Sequence, residues 1–291
     1  MNQTTTVNEA AASGLRHAKD SNGETPWQLR MFRKTLKKQQ RLRELRRLIG
    51  RRSAGEACLL VTCGDNNGAM NWHLRELGGQ WTWADLEERS IPEMSALLGD
   101  PVHHVRADRL PFDGDRFDCV VTIDVHEHVT DPQSFTAELV RVAKDRGRLI
   151  VTVPGGERHK LVNALKNAVG MTMDEYGHTR EGYSVAELKE LMTAAQIEPQ
   201  RVRTFSRFFT ELLELGLNFV YVKKMAKRSQ TAVAKGTIAP ATQAQLKSVG
   251  KAYRLYSLVF PLVWLISQLD RLLFFTRGYV VVVAGTKRTV S

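Results

Sequence analysis

Cysteine is scarce: Cys58, Cys63 and Cys119 are the only three in 291 residues, and none forms a CxxC pair. That excludes a disulfide framework and a clustered zinc module, and it fits a reducing cytosol. Long apolar runs are missing as well. The most apolar stretch, residues 258 to 266, is about nine residues where a bilayer span needs ~20, and Pro261, Gln268, Asp270 and Arg271 interrupt its surroundings. The expectation is an in-plane element or a lid, not a span. The first 23 residues are polar and lack an apolar signal core, so residues 1–26 read as a disordered tail. No GxGxxG follows a predicted strand, which argues against a nicotinamide-dependent oxidoreductase.

What is present is a core and one concentrated charge. The hydrophobic content of 43% is that of a globular protein. Of the net charge of +11, residues 30–52 hold eleven Lys or Arg against Glu44 alone, a local +10. In this segment Phe32, Leu36, Leu42, Leu45, Leu48 and Ile49 recur near helical spacing and Gly50 offers a stop, so residues 27–52 read as a basic amphipathic helix. Three uses stay open for it: an anionic lipid surface, nucleic acid, or packing on the domain through its leucines.

Strand and helix patterns then alternate, which predicts a parallel sheet covered on both faces. Strands are expected at 57–63, 80–85, 102–108, 117–124, 147–154, about 199–206 and 278–287. Helices are expected near 68–77, 90–98, 132–143 and 184–196, the last capped by Ser184 with Glu187 three residues on. The domain so outlined covers 53–206 and 278–291. Residues 207–277 read as a helical, partly apolar insertion facing a membrane or an acceptor, with a linker inside it.

Ligands of such sheets bind beyond the carboxyl ends of the strands. "TCGDNNG" ends the first strand with Gly64 and Gly68, which permit a tight turn. Asp85 ends the second, 21 residues after Gly64, near the distance of ~20 at which an acid meets ribose hydroxyls. Asp108 ends the third and precedes Leu110 and Phe112, a carboxylate and two walls that suit an adenine.

The stretch "RADRLPFDGDRFDCVVTIDVHEHVTDPQSFTAELVRVAKDRGRLIVTVPG" resembles the core of class I S-adenosylmethionine-dependent methyltransferases of the type 11 group, and "YGHTREGYSVAELKELM" resembles that family's Gly-His-x-Arg segment. The resemblance implies an α/β, Rossmann-like seven-stranded sheet, here with a helical insertion before the last strand, and S-adenosylmethionine as cofactor. It puts Thr62, Gly64, Asp65 and Gly68 at the methionine end, Asp85 with Leu86 at the ribose, Asp108, Arg109 and Leu110 at the adenine, and Asp124 near the transferred methyl group. Leu60 and Thr62 depart from the family's acid and first glycine. Methyl transfer from a sulfonium asks mainly for alignment and exclusion of water, with a base where the acceptor is a hydroxyl. His126, Glu127, His128 and His178 are the candidates. No metal is expected. Should one be used, Asp124, Glu127 and His128 have the spacing of a metal site found in some O-methyltransferases, and His178 could join them.

The resulting expectation is a cytoplasmic enzyme, peripheral on the inner face of the plasma membrane, with an anionic membrane surface as partner. Its acceptor would be a small molecule or a lipid-linked, isoprenoid or envelope-glycan compound. RNA methylation through the basic helix and a non-catalytic scaffold of the same fold are the alternatives. The sequence sets no oligomeric state.

Overall fold

A computed structural model describes residues 23–64, 66–157, 161–170, 178–220 and 242–289. Residues 1–22 of the predicted tail, most of the predicted linker and Asp65 lie outside them. The element order is α1 Trp27–Phe32, α2 Leu36–Ile49, β1 Arg52–Thr62, α3 Ala69–Arg75, β2 Gly78–Asp85, α4 Ile91–Leu98, β3 Val102–His104, β4 Phe117–Ile123, α5 Pro132–Val142 and β5 Ala143–Pro154. There follow α6 Leu161–Ala168, α7 Val185–Ala194, β6 Ile197–Phe205, α8 Phe208–Phe219, α9 Gln243–Ser248, α10 Gly250–Ser267 and β7 Val280–Lys287.

The seven strands form one sheet in the order β3-β2-β1-β4-β5-β7-β6. β7 runs antiparallel to both of its neighbours, and the others pair in parallel. The central strands are apolar without alternation because both faces are covered: Leu60, Val121 and Ile150 enter one buried cluster, and Leu59, Val120 and Val151 the other. The chain reverses its direction of growth between β1 and β4, and this opens a crevice at their carboxyl ends. Register puts Asp85, Thr62 and Ile123 in one row across that edge, with Asp124 next in the chain.

The basic segment is two helices with a turn at residues 33–35. Leu42, Leu45, Leu48 and Ile49 of α2 are buried in the sheet's first cluster, and Arg148 of β5 donates to the Leu48 and Ile49 carbonyls that end the helix. The packing use of this segment is therefore real, and it leaves the outer cations for other work. Ser184 caps α7 as predicted: it accepts from the Glu187 amide while the Glu187 carboxylate accepts from the Ser184 amide.

In the insertion, α10 runs unbroken through Pro261 and continues as a 3-10 turn, Gln268–Leu273. Within the 24 residues Gly250–Leu273, an 18-residue window has a mean hydropathy of 1.2, long and apolar enough by length and composition alone to cross a membrane. The uninterrupted apolar run inside it is still the nine residues 258–266; what the proline does not do is end the helix. Both ends are nevertheless tied to the domain. The Tyr256 hydroxyl donates to the Lys34 carbonyl at 2.5 Å. Buried Asp270 accepts from the amides of Arg207 and Phe209 at 2.9 Å and of Thr210 at 3.3 Å, which caps α8 from outside its own sequence.

Candidate active site

The turn after β1 is pinned by Asp85. Its buried carboxylate accepts from the Gly64 amide at 2.9 Å, the Glu87 amide at 2.8 Å and the Thr62 hydroxyl at 2.6 Å. Burial pushes its pKa up, and these three donors pull against that rise. Asp85 thus shapes the turn and presents no free oxygen to a ribose, which corrects its expected role. The carboxylate that does face the turn is Glu87. A Cβ built on Gly64 would stand 3.0 Å from Glu87 Cγ and 2.9 Å from Arg89 Nη2. Arg89 Nη2 is the end of a flexible side chain, whereas Glu87 also comes close through its Cβ at 3.3 Å, so the face of the Gly64 backbone (φ +64°) opens when Arg89 swings aside and Glu87 turns. Gly68 (φ +87°) starts α3, and the Asn66 side chain accepts from its amide.

Asp108 is also relocated. β3 stops at His104, not at 108, and in the turn that follows Arg106 forms an exposed two-bond pair with Asp108 at 3.0 and 2.6 Å. That carboxylate lies exposed beside exposed Arg109. Leu110 and Phe112 are buried in the second core cluster with Phe117 and Phe135, so they support the crevice from beneath and do not line it. Leu86 is half-buried against the same cluster.

Asp124 follows β4 with φ +49°, and Arg41 of α2 reaches it at 2.5 Å. Arg41 itself is buried. It was legible in part: Lys37, Arg41 and Leu45 fall four residues apart on one helix face, so a cation stands on the apolar stripe and needs a buried partner. Lys37 finds one in Glu211 at 2.7 Å, which also pairs with Lys166 at 3.0 Å. Gln40 completes the row by accepting from the Ser206 amide. Thus α2 walls the crevice at the carboxyl end of the sheet.

Beyond Asp124, His126 is fully buried between Phe135 and Tyr183, its Nε2 3.2 Å from the Thr136 hydroxyl. Burial pushes its pKa down to about 3. With no route to an acceptor, it is a core residue, and the catalytic expectation for it is withdrawn. Glu127, His128 and His178 do come together: one ligand atom from each lies within 4.8 Å of the others. Burial, with the Asp124 charge second, drives Glu127 well above the carboxylate range. Burial, then the positive neighbours His128, Lys37 and Lys166, pushes His178 down to about 3. Thr179 joins the two segments by donating from its amide and hydroxyl to the Glu127 carbonyl at 2.7 and 2.9 Å.

A Rossmann-like sheet of this order with an antiparallel β7, and a glycine turn facing the switch point, is the fold of the class I S-adenosylmethionine-dependent methyltransferases. Residues 59–151 match the family described as Methyltransferase domain, which assigns the chain's central domain to that class. Solved structures agree on the fold. The YcgJ protein of Bacillus subtilis is 14% identical with a TM-score of 0.54, over 87% of this chain and 100% of that one. Geranyl diphosphate C-methyltransferase of Streptomyces coelicolor A3(2), solved with Mg2+, geranyl diphosphate and S-adenosyl-L-homocysteine, is 13% identical with a TM-score of 0.52, over 86% and 79%. Phosphoethanolamine N-methyltransferase 2 of Haemonchus contortus, solved with S-adenosyl-L-methionine, is 16% identical with a TM-score of 0.53, over 86% and 53%. No curated protein sequence matches the chain.

Proposed function

We propose that this methyltransferase works at an anionic membrane surface and methylates a lipid-linked, isoprenoid or envelope-glycan acceptor. The observation that carries the reading is the outer face of α10 and the turn after it. Leu258, Leu262, Leu265, Leu272, Phe274 and Phe275 are each more than half exposed there. Nothing within the described residues covers them. Next to this face stands the basic segment: Lys34 lies 5.9 Å from the Tyr253 ring of α10 and gives its carbonyl to Tyr256. Beyond it, Arg33, Arg43, Arg46 and Arg47 line a groove of about 550 Å3 with Phe32 and His73. Apolar bulk flanked by cations is the composition that binds an anionic interface. The isoprenoid diphosphate in the Streptomyces relative supports the same class of acceptor.

The cofactor, when bound, supplies an activated methyl group. The chain's part is to hold and align. The Gly64 turn with Glu87 would take the ribose, while Arg41 and Asp124 offer opposite charges to the carboxylate and ammonium of the amino acid end. His178, held neutral by burial with a pKa pushed down to about 3, would orient a hydroxyl acceptor through a hydrogen bond and is too weak a base to take its proton.

Vesicle flotation tests the membrane half. The full chain is expected to float with phosphatidylglycerol-containing vesicles, to stay down with purely zwitterionic ones, and to lose most of its binding in Phe274→Ser/Phe275→Ser. A parent chain that ignores both vesicle types overturns the reading. Calorimetry with S-adenosyl-L-homocysteine tests the other half: Gly64→Val should weaken binding at least tenfold at unchanged circular dichroism, since a side chain at that φ is strained and meets Glu87 and Arg89.

A further inference from the structure

We infer that the groove on the outer face of α2 is a saturable binding site for a terminal phosphate group, separate from the crevice on the helix's other side. Arg33, Arg43, Arg46 and Arg47 line it with His73 around a volume of about 550 Å3. Buried Phe32 and Leu42 give it an apolar floor beneath this cationic rim.

The site follows from how α2 divides its cations. Arg43, Arg46 and Arg47 fall three and four residues apart on one face, whereas Lys37 and Arg41 meet carboxylates at the crevice. At about 100° per residue, Arg43 stands roughly 160° round the helix from Arg41. An occupant of the groove therefore leaves the Arg41 contact with Asp124 in place. Arg33 enters from the turn before the helix, and Gln39 of α2 fixes that turn by donating to the Arg33 carbonyl at 2.6 Å.

The balance of charge sets the ligand class. Arg46 pairs with Glu76 at 2.5 Å and Arg47 with Glu44 at 2.7 Å. The side chains of Arg33 and Arg43 take neither an ion pair nor a hydrogen bond among the described residues, so two guanidinium charges are left over. A phosphomonoester carries about −1.5 to −2 at pH 7 and offers three acceptor oxygens to such forks. A phosphodiester or a carboxylate brings a single charge and meets half of that excess. His73 feels the same field. Its Nδ1 is buried 3.7 Å from the Glu76 carboxylate, with no hydrogen-bond partner among the described residues. Burial chiefly holds this imidazole below its ordinary pKa, and Arg46 and Arg33 push the same way against Glu76.

Position assigns the carrier of the phosphate. Lys34, next to Arg33, gives its carbonyl to Tyr256 of α10, and the outer face of α10 is apolar and exposed. A lipid whose headgroup ends in phosphate would meet the groove while its chains meet that face. The lipid source rests on the membrane reading above, whereas recognition of the phosphate does not.

The test uses the full chain with a soluble and a lipid probe. Calorimetry with glycerol 3-phosphate should show one site per chain with a dissociation constant in the millimolar range or tighter. Flotation should favour phosphatidic acid vesicles over phosphatidylglycerol vesicles matched in surface potential. Arg33→Gln/Arg43→Gln, both exposed and checked for folding by circular dichroism, should weaken glycerol 3-phosphate at least tenfold and abolish the phosphatidic acid preference. Arg201→Gln, on exposed β6, should change neither. Absence of saturable glycerol 3-phosphate binding in the folded parent overturns the site, as does binding that survives the double substitution. RNA retention lost on the same substitutions, without glycerol 3-phosphate binding, overturns it in favour of nucleic acid. Glycerol 3-phosphate binding with no preference between the vesicles upholds the phosphate site and overturns its lipid source. Phe274→Ser/Phe275→Ser separates the two readings: it should lose flotation and keep glycerol 3-phosphate binding.

Discussion

Gly182 has φ +130°, and a methyl group there would collide with the Pro154 carbonyl. The strand end and the loop carrying His178 meet at this point, since the Tyr183 amide donates to the same carbonyl at 2.9 Å. Gly182→Ala should cost about 2–4 kcal/mol, read as a lowered urea midpoint, because the backbone must leave a conformation barred to alanine. Glu211 makes a pH prediction. Burial pushes its pKa up, but Lys166 and Lys37 outweigh burial and hold it well below the ordinary carboxylate value. A pKa lower in the folded than in the unfolded state means that the stabilisation is complete above the unfolded value of about 4.3 and drains away as pH falls below it. Glu211→Gln should therefore lose about 3–5 kcal/mol at pH 7 and show a flatter stability profile between about pH 5 and 3, by denaturant melts across that range. Neither role was legible beforehand. The partners come from α2, α6 and α8, and only the closed fold brings them together.

Elements were easier to foresee than sites. The central strands declared themselves as short apolar runs, and the helices through spacing and caps, Ser184 above all. Errors fell where a local polar contact beat the pattern. β3 ended at His104, before the turn in which Arg106 pairs with Asp108, and Asp270, which reads as an interruption of an apolar element, turned out to serve another helix. Asp270→Ala should lower stability by about 1–2 kcal/mol and raise hydrogen exchange at the first turn of α8, where three amides lose their acceptor. Of the candidate site, the glycine turn and the Glu-His pair could be read from spacing. That Asp85 spends its oxygens on the Gly64 and Glu87 amides and the Thr62 hydroxyl could not, because a free and an occupied carboxylate share one sequence pattern.

At the scale of the molecule, the segment before β1 belongs to the domain. Its leucines fill the cluster beneath the sheet, and Arg41 and Lys37 neutralise carboxylates at the crevice. A chain beginning at Arg52 should fail to give a cooperative thermal transition, whereas the full chain gives one; loss of the five buried apolar side chains of α2 and exposure of what they cover exceeds the ~5–15 kcal/mol by which domains are stable.

The Arg41 contact with Asp124 also has a bearing on how such enzymes are divided up. A boundary drawn where the family match begins would discard one wall beside the sheet's carboxyl edge along with its charge balance, leaving Asp124 without its counterion and Glu211 with Lys166 alone. What looks like an accessory leader is, in energetic terms, inseparable from the body it precedes: the helix that fills the hollow under the sheet is the same one that supplies the cation opposite Asp124.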